Sequence, residues 1–215
     1  MTIRHHPDDA TLMSFTAGAL PQAFAAIVAA HLSMCPRCRD EITTFELVGA
    51  ALIGTLPPRA MEQAAPAPQT WVAGDDVPRL RAPHGGAAHL PWPLGQLVSD
   101  PLGEVRWERV AQGLWQHNIR MPNPSSGRLR LLKAAPGCAI PEHGHYGSEM
   151  TLVLEGAYQD QTGEFRVGDV ADLDEGLEHT PVADRETGCI CVFANEMPPR
   201  FKGLLLRLAQ PFMKF

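Results

Sequence analysis

Nowhere in the 215 residues is there an apolar run able to cross a bilayer. The longest, Ala23 to Ala30 and the stretch around Gly203 to Leu206, fall far short of the about 20 residues a spanning helix needs. The opening segment, Met1-Thr2-Ile3-Arg4-His5-His6-Pro7, lacks the hydrophobic core of a secretory signal, so a cytoplasmic protein with no membrane partner is expected. Positive charge is in deficit as well. A formal net charge of −6 argues against direct DNA binding, which needs a basic face for phosphates. Cysteine is sparse, at five. Without a secretory signal these read as thiols or metal ligands rather than a disulfide scaffold. No internal repeat is visible.

What is present divides the chain by composition. A length of 215 residues suits one medium or two small domains. The first part reads as helical. Asp8 or Asp9 can cap a helix carrying Leu12, Phe15 and Thr16 that ends near Gly18. Pro21 suits the first turn of a second helix with Phe24, Ile27, Val28 and His31 at helical spacing. Pro36 suits the start of a third, with Ile42, Phe45, Val48 and Leu52 as an apolar stripe that stops at Gly54 and Pro57-Pro58. From Thr55 to about Pro93 the composition turns to Pro, Ala and Gly, read as a tether with at most a short helix around Arg59 to Ala65. Short alternating segments follow at Val105–Val110, Leu114–Ile119, Arg128–Lys133, Met150–Leu154 and Gly188–Ala194. Gly, Pro and Asn fall between them, the pattern of an all-β barrel. The tail from Pro198 to Phe215 is expected to close that barrel. The expected fold is thus α + β in two domains. A helical domain takes residues 1–85, with its core at about 6–56 and its linker running to about 93; a β-barrel domain takes 94–215.

Two clusters carry chemistry. In the barrel, His143 and His145 are two apart and share a face of any strand. Glu149 lies four further on, far enough to return on the next strand, and His179 follows in a second Gly-punctuated unit. Three imidazoles and a carboxylate make an N/O site suited to zinc, manganese or non-haem iron. The segments resemble the two cupin motifs, G-x5-H-x-H-x3-E-x6-G, complete from Gly137 to Gly156, and G-x5-P-x-G-x2-H-x3-N, from Gly168. The second departs at Asp174, where the motif has Pro, and at Ala183, where it has Asn.

In the helical part, His31, Cys35 and Cys38 form H-x3-C-x2-C. These residues share a face of one continuous helix, or clasp the junction of two if Pro36 starts a new one. Either way a thiolate pair with an imidazole prefers zinc, and His5 or His6 can supply a fourth ligand. A metal would also help so small a unit to fold, since its core alone contributes only a few kcal/mol. A thioredoxin-like redox pair is disfavoured because Cys-x2-Cys follows an Ala-rich helix rather than a strand. A DNA-reading finger places its cysteines before its histidines. This unit also has no Lys up to residue 56 and a net charge of −2 over that span.

The N-terminal pattern, H-P-D-D-A-T-L at His6–Leu12, A-G-A-L-P at Ala17–Pro21 and then H-x3-C-x2-C, resembles a zinc anti-sigma domain. Followed by a cupin, the whole chain resembles the ChrR-type anti-sigma factors of bacteria. That resemblance implies a structural zinc on His6, His31, Cys35 and Cys38, and a second zinc on His143, His145, Glu149 and His179, two Zn2+ per chain. It implies inhibition of a cognate extracytoplasmic-function-type (ECF) sigma factor, and release of that partner under singlet oxygen or related photo-oxidative stress sensed through the cupin. Cys189 and Cys191, on one face of one strand, are candidate redox-sensitive groups, as is Met150 beside the site. The rival expectation is a cupin metalloenzyme, a dioxygenase or isomerase, with an accessory zinc-binding helical domain.

Overall fold

A computed structural model describes residues 2–57, 90–98, 102–121, 127–144, 146–197 and 200–201. Most of the expected tether (58–89), including the short helix at 59–65, lies outside these residues, as do His145 and all but two residues of the C-terminal tail.

Helix α1 spans Asp9–Thr16, and its first turn is capped by Asp8, whose Oδ1 accepts the Thr11 N–H at 2.6 Å. Helix α2 spans Gln22–Met34 directly after Pro21. Helix α3 spans Pro36–Gly54 with Pro36 in its first turn, where no N–H is needed. Cys35 alone separates α2 from α3, in extended backbone. The H-x3-C-x2-C residues therefore clasp a junction of two helices.

Helix α2 is apolar nearly all round, with Ala23, Phe24, Ala26, Ile27, Val28, Ala29, Ala30 and His31 all buried. Such a helix needs cover on more than one side. It finds some of it on the barrel: α2 packs on the strands Arg128–Ala134, Glu149–Asp160 and Cys189–Asn195. One continuous core runs from Leu12, Phe24 and Ile27 through Leu94 and Val98 to Leu131, Met150, Leu152 and Val192. The helical part is thus not a free-standing unit with a small core of its own, because its most apolar helix shares its buried side with the barrel. Part of the expected α3 stripe also turns out differently. Ile42 and Phe45 pack against the core, but Val48 and Leu52 are 53 % and 63 % exposed. At 1.5 Å per residue, α3 is about 28 Å long and α1 only about 12 Å, so the far half of α3 overhangs its cover.

Before the barrel come a short helix α4 (Leu94–Val98) and a single 3-10 turn (Leu102–Glu104), which bury Leu94, Val98 and Leu102 in the shared core. The sequence pattern does not announce either. The strands are β1 (Glu108–Ala111), β2 (Leu114–Ile119), β3 (Arg128–Ala134), β4 (His143–Gly144), β5 (Glu149–Asp160), β6 (Gly163–Arg166), β7 (Val170–Leu173), β8 (Glu178–His179), β9 (Val182–Ala183), β10 (Cys189–Asn195) and β11 (Arg200–Phe201). The main sheet runs β1-β2-β3-β10-β5-β6, with β7 and β9 also on β5, and every pairing is antiparallel. A second sheet, β11-β4-β8, places His143 opposite His179 and brings Phe201 of the tail opposite His143. Strand β5 is the hub. It begins at the candidate ligand Glu149 and runs on past the expected Leu154 to Asp160.

Two candidate metal centres

The N-terminal arm, residues 3–8, reaches the helical cluster by lying along the β6–β7 turn. The Asp169 carboxylate accepts the Arg4 N–H at 2.6 Å and the His5 N–H at 3.1 Å, and Val170 N–H donates to His5 O at 3.1 Å. Gly168 is required beneath the arm. Its φ of +91° disfavours a side chain, and a Cβ there would meet Ile3 at 2.8 Å. This seating separates the neighbouring histidines: the His5 ring lies 4.4 Å from that of Phe165, while His6 turns inward.

The His6, His31, Cys35 and Cys38 donor atoms converge within 4.8 Å of one another. His6 Nδ1 is 3.4 Å from His31 Nε2, 3.5 Å from Cys35 Sγ and 3.3 Å from Cys38 Sγ; His31 Nε2 is 3.3 Å from Cys38 Sγ. A tetrahedral ion with ~2.05 Å bonds to nitrogen and ~2.3 Å bonds to sulfur sets N···N edges near 3.4 Å and N···S edges near 3.5 Å. The donor set fits a tetrahedral zinc. His31 Nδ1 donates to Gly168 O at 2.9 Å, which leaves Nε2 as a lone pair facing the cluster.

The electrostatics have the same sense. Burial, opposed only in part by the Gly168 hydrogen bond, lowers the His31 pKa to about 4, so its ring is neutral and ready to ligate. Burial and then the charge of Arg37 lower that of His6. Burial and the neighbouring Cys35 push the Cys38 thiol up to about 12. Two thiolates this close and this dry need a cation between them. The α3 N-terminus, where Cys35 and Cys38 sit, adds its positive end of the helix dipole.

In the barrel, His143, Glu149 and His179 are all buried and their donor atoms also lie within 4.8 Å. His143 Nδ1 donates to Pro141 O at 2.9 Å and His179 Nδ1 to Asp160 Oδ2 at 2.8 Å. The Nε2 atoms of the two rings then face each other at 3.2 Å. With the Glu149 carboxylate they form a buried, convergent N/O donor set of the kind that fits a metal ion. Asp160 is the orienting partner. Burial alone would raise its pKa, but hydrogen bonds from His179 and Thr162 outweigh this and hold it below the ordinary carboxylate value.

A family model, the ChrR cupin-like domain, matches residues 98–198. The anti-sigma-E factor ChrR of Cereibacter sphaeroides is 39% identical over 214 residues, covering 100% of both chains. The chain belongs to the ChrR family. A chain in the crystal structure of Rhodobacter sphaeroides SigE in complex with the anti-sigma ChrR is 38% identical, with a TM-score of 0.75 over 90% of this chain and 99% of that one. The expected α + β order, helices with a His/Cys cluster followed by a cupin-like barrel, is the architecture found.

Within this ChrR-family barrel a cavity of ≈ 70 Å³ adjoins the histidines. Its lining is mostly apolar, with Thr151, Tyr158 and the thiols of Cys138, Cys189 and Cys191 among its walls. Cys189 and Cys191 are thus brought to the same chamber as the candidate ligands. A hydrogen bond with Cys189 and then burial raise the Cys191 pKa well above the usual thiol range, and burial raises that of Cys138. Cys138 and Cys191 are therefore protonated thiols rather than thiolates. Burial, above all, keeps the Tyr158 hydroxyl neutral. Sequence reading missed Asp160 and Asp169, and took Gly168 only as punctuation of the second cupin segment, not as the group that orients His31. The cue for Asp160 is faint, an acid at the end of an alternating strand. For Asp169 it is an acid after the glycine of the second cupin segment.

Proposed function

We propose that this protein is an anti-sigma factor that binds and inhibits a cognate ECF-type sigma factor, acting by protein contact and not as an enzyme. The observation that carries this is the likeness to ChrR over the whole of both chains, joined by the likeness to a chain solved with SigE. The overhanging part of α3 supplies a docking surface for such a partner. Leu47, Val48, Leu52 and Ile53, with Leu56 just past the helix end, are between 53 % and 70 % exposed, an apolar strip of the kind that seats in a groove between partner helices.

In this reading His6, His31, Cys35 and Cys38 hold a structural Zn2+, as the two thiolates and the tetrahedral spacing favour. His143, Glu149 and His179, with His145 as the sequence implies, hold a second. The barrel is the sensor of singlet oxygen and related photo-oxidative stress. Its oxidisable groups are the ligand histidines, Cys189, Cys191 and the buried Met150. Sigma factors work on RNA polymerase, so the compartment is the cytoplasm; no helix of the described residues is long and apolar enough to cross a membrane.

Co-purification of the full chain from its native cell, with metal analysis, tests the proposal. A sigma factor and two zinc ions per chain are expected. A metal-loaded chain that captures no sigma factor would refute the partner assignment.

A further inference from the structure

The two clusters share one piece of chain. At one end, the β6–β7 turn touches the helical cluster: Gly168 O receives the His31 Nδ1–H at 2.9 Å, and the Asp169 carboxylate receives the backbone N–H groups of Arg4 and His5, immediately before His6. The turn is itself fixed to β5, with Gly168 N–H donating to Val153 O at 2.9 Å and Val153 N–H to Asp169 O at 3.1 Å. Asp169 Oδ2 also accepts the Arg166 N–H at 2.8 Å, which braces the turn from within. At the other end, β7 is locked in register on β5, with Val170 opposite Leu152 and Leu173 opposite Glu149. The chain then passes to His179 on β8, which pairs with His143 on β4. Two ligands of the first cluster and three of the second therefore hang on a single turn and strand.

We propose that residues Gly168–Leu173 couple the two metal centres, with Asp169 as the positioning residue, so that loss of the barrel ion loosens the ion held by the thiolates. The first centre's histidines are placed by the barrel rather than by the helices alone: His31 lies in α2, but its ring is aimed by Gly168, and His6 belongs to an arm that docks on Asp169. A four-residue antiparallel pairing transmits a shift of Glu149 to that turn without any flexible connection between. Coupling of this kind is reciprocal, so filling the thiolate centre also tightens the barrel centre. The inference rests on the metal assignments above and is independent of sigma binding.

The test uses the full chain loaded with cobalt(II), whose thiolate charge-transfer absorption reports the first centre alone, and follows its loss to excess EDTA. Glu149→Gln, far from the thiolates, is expected to speed that loss about tenfold, the lower end of what disturbing an outer partner of a metal site does. Asp169→Asn is expected to do the same. The two combined should add little, because each opens the same link. Asp160→Asn, which frees His179, provides the same reading if Glu149→Gln does not fold. Amide exchange at Arg4, His5 and Val170 should quicken in step. An unchanged loss rate in the barrel variants, or effects that multiply in the double variant, overturns the coupling. Absence of the thiolate band in the unaltered chain overturns the metal assignment and the coupling with it.

Discussion

His31 Nδ1 lies 2.9 Å from the carbonyl oxygen of Gly168, which stands 137 positions later in the chain. A candidate ligand of the helical cluster is thus oriented by a turn of the barrel. The geometry of that cluster is divided between the two parts of the protein.

Replacing both Cys35 and Cys38 with Ser should abolish metal in the first centre and release the sigma factor. Zinc binding in small structural sites is worth on the order of 10 kcal/mol at neutral pH, comparable to the whole stability of a domain. The double variant should therefore show a much lower melting temperature, as well as loss of the sigma factor in a pull-down. Full inhibition by this variant would contradict a structural role for the ion.

Asp160→Asn should weaken the barrel centre first, and through the coupling above quicken release from the thiolate centre to a smaller degree. The variant keeps the size of the side chain but not the charge that holds the His179 Nδ1–H at 2.8 Å. A loss of about 10- to 100-fold in affinity is expected, seen as metal content falling from two ions toward one under competition by a chelator. Sigma capture by the untreated variant should persist.

The element order and the convergence of most candidate ligands were legible from spacing alone. His31, Cys35 and Cys38 stand where proline punctuation puts a helix junction, and His143, Glu149 and His179 stand where alternation and glycines put strands. The docking of α2 on β10 was not legible, because an Ala-rich helix that is apolar all round does not reveal what covers it. Nor was the role of Asp169, since its partners Arg4 and His5 are more than 160 residues away and no local period relates them. The α3 stripe misled in part. Val48 and Leu52 continue the periodicity of Ile42 and Phe45, but periodicity carries no information on where the covering helices stop.

Val48→Asp and Leu52→Asp on α3 should therefore weaken sigma binding without unfolding the chain. Both side chains are more than half exposed, so each change should move stability by no more than about 0.5 kcal/mol. Affinity should fall at least tenfold if the strip is the docking surface. Titration calorimetry alongside thermal melting separates the two effects, and unchanged affinity would place the sigma contact elsewhere.

Asp172→Asn should make the junction between arm and barrel more stable, and more so as pH rises. Burial, abetted by the charges of Asp8 and Asp174, raises the Asp172 pKa against the hydrogen bonds from Thr11 and the Asp8 N–H. A carboxyl with a raised folded pKa contributes stability below its unfolded value near 3.8, and that contribution is lost as pH climbs through the folded pKa. Asn keeps an oxygen for the Asp8 N–H, 3.2 Å away, and does not titrate. The variant's advantage in melting temperature should thus be larger at pH 7 than at pH 4; the opposite trend would mean that the carboxylate is favourable in the fold.

Ile27→Ala tests whether the helices and barrel melt as one. Ile27 is fully buried in α2, within the core that continues into β3, β5 and β10. Removing its side chain should cost about 2–5 kcal/mol. Two tethered domains would show two transitions, with only the helical one displaced. A core that runs unbroken from Leu12 to Val192 predicts instead a single transition that shifts as a whole, followed by circular dichroism for the helices and, in a chain whose Trp71, Trp92 and Trp107 are replaced by Phe, by Trp115 fluorescence for the barrel. Coincident curves by both probes, before and after the substitution, are the expected result. A barrel signal that stays in place while the helical signal moves would show that the shared core does not bind the two parts into one folding unit.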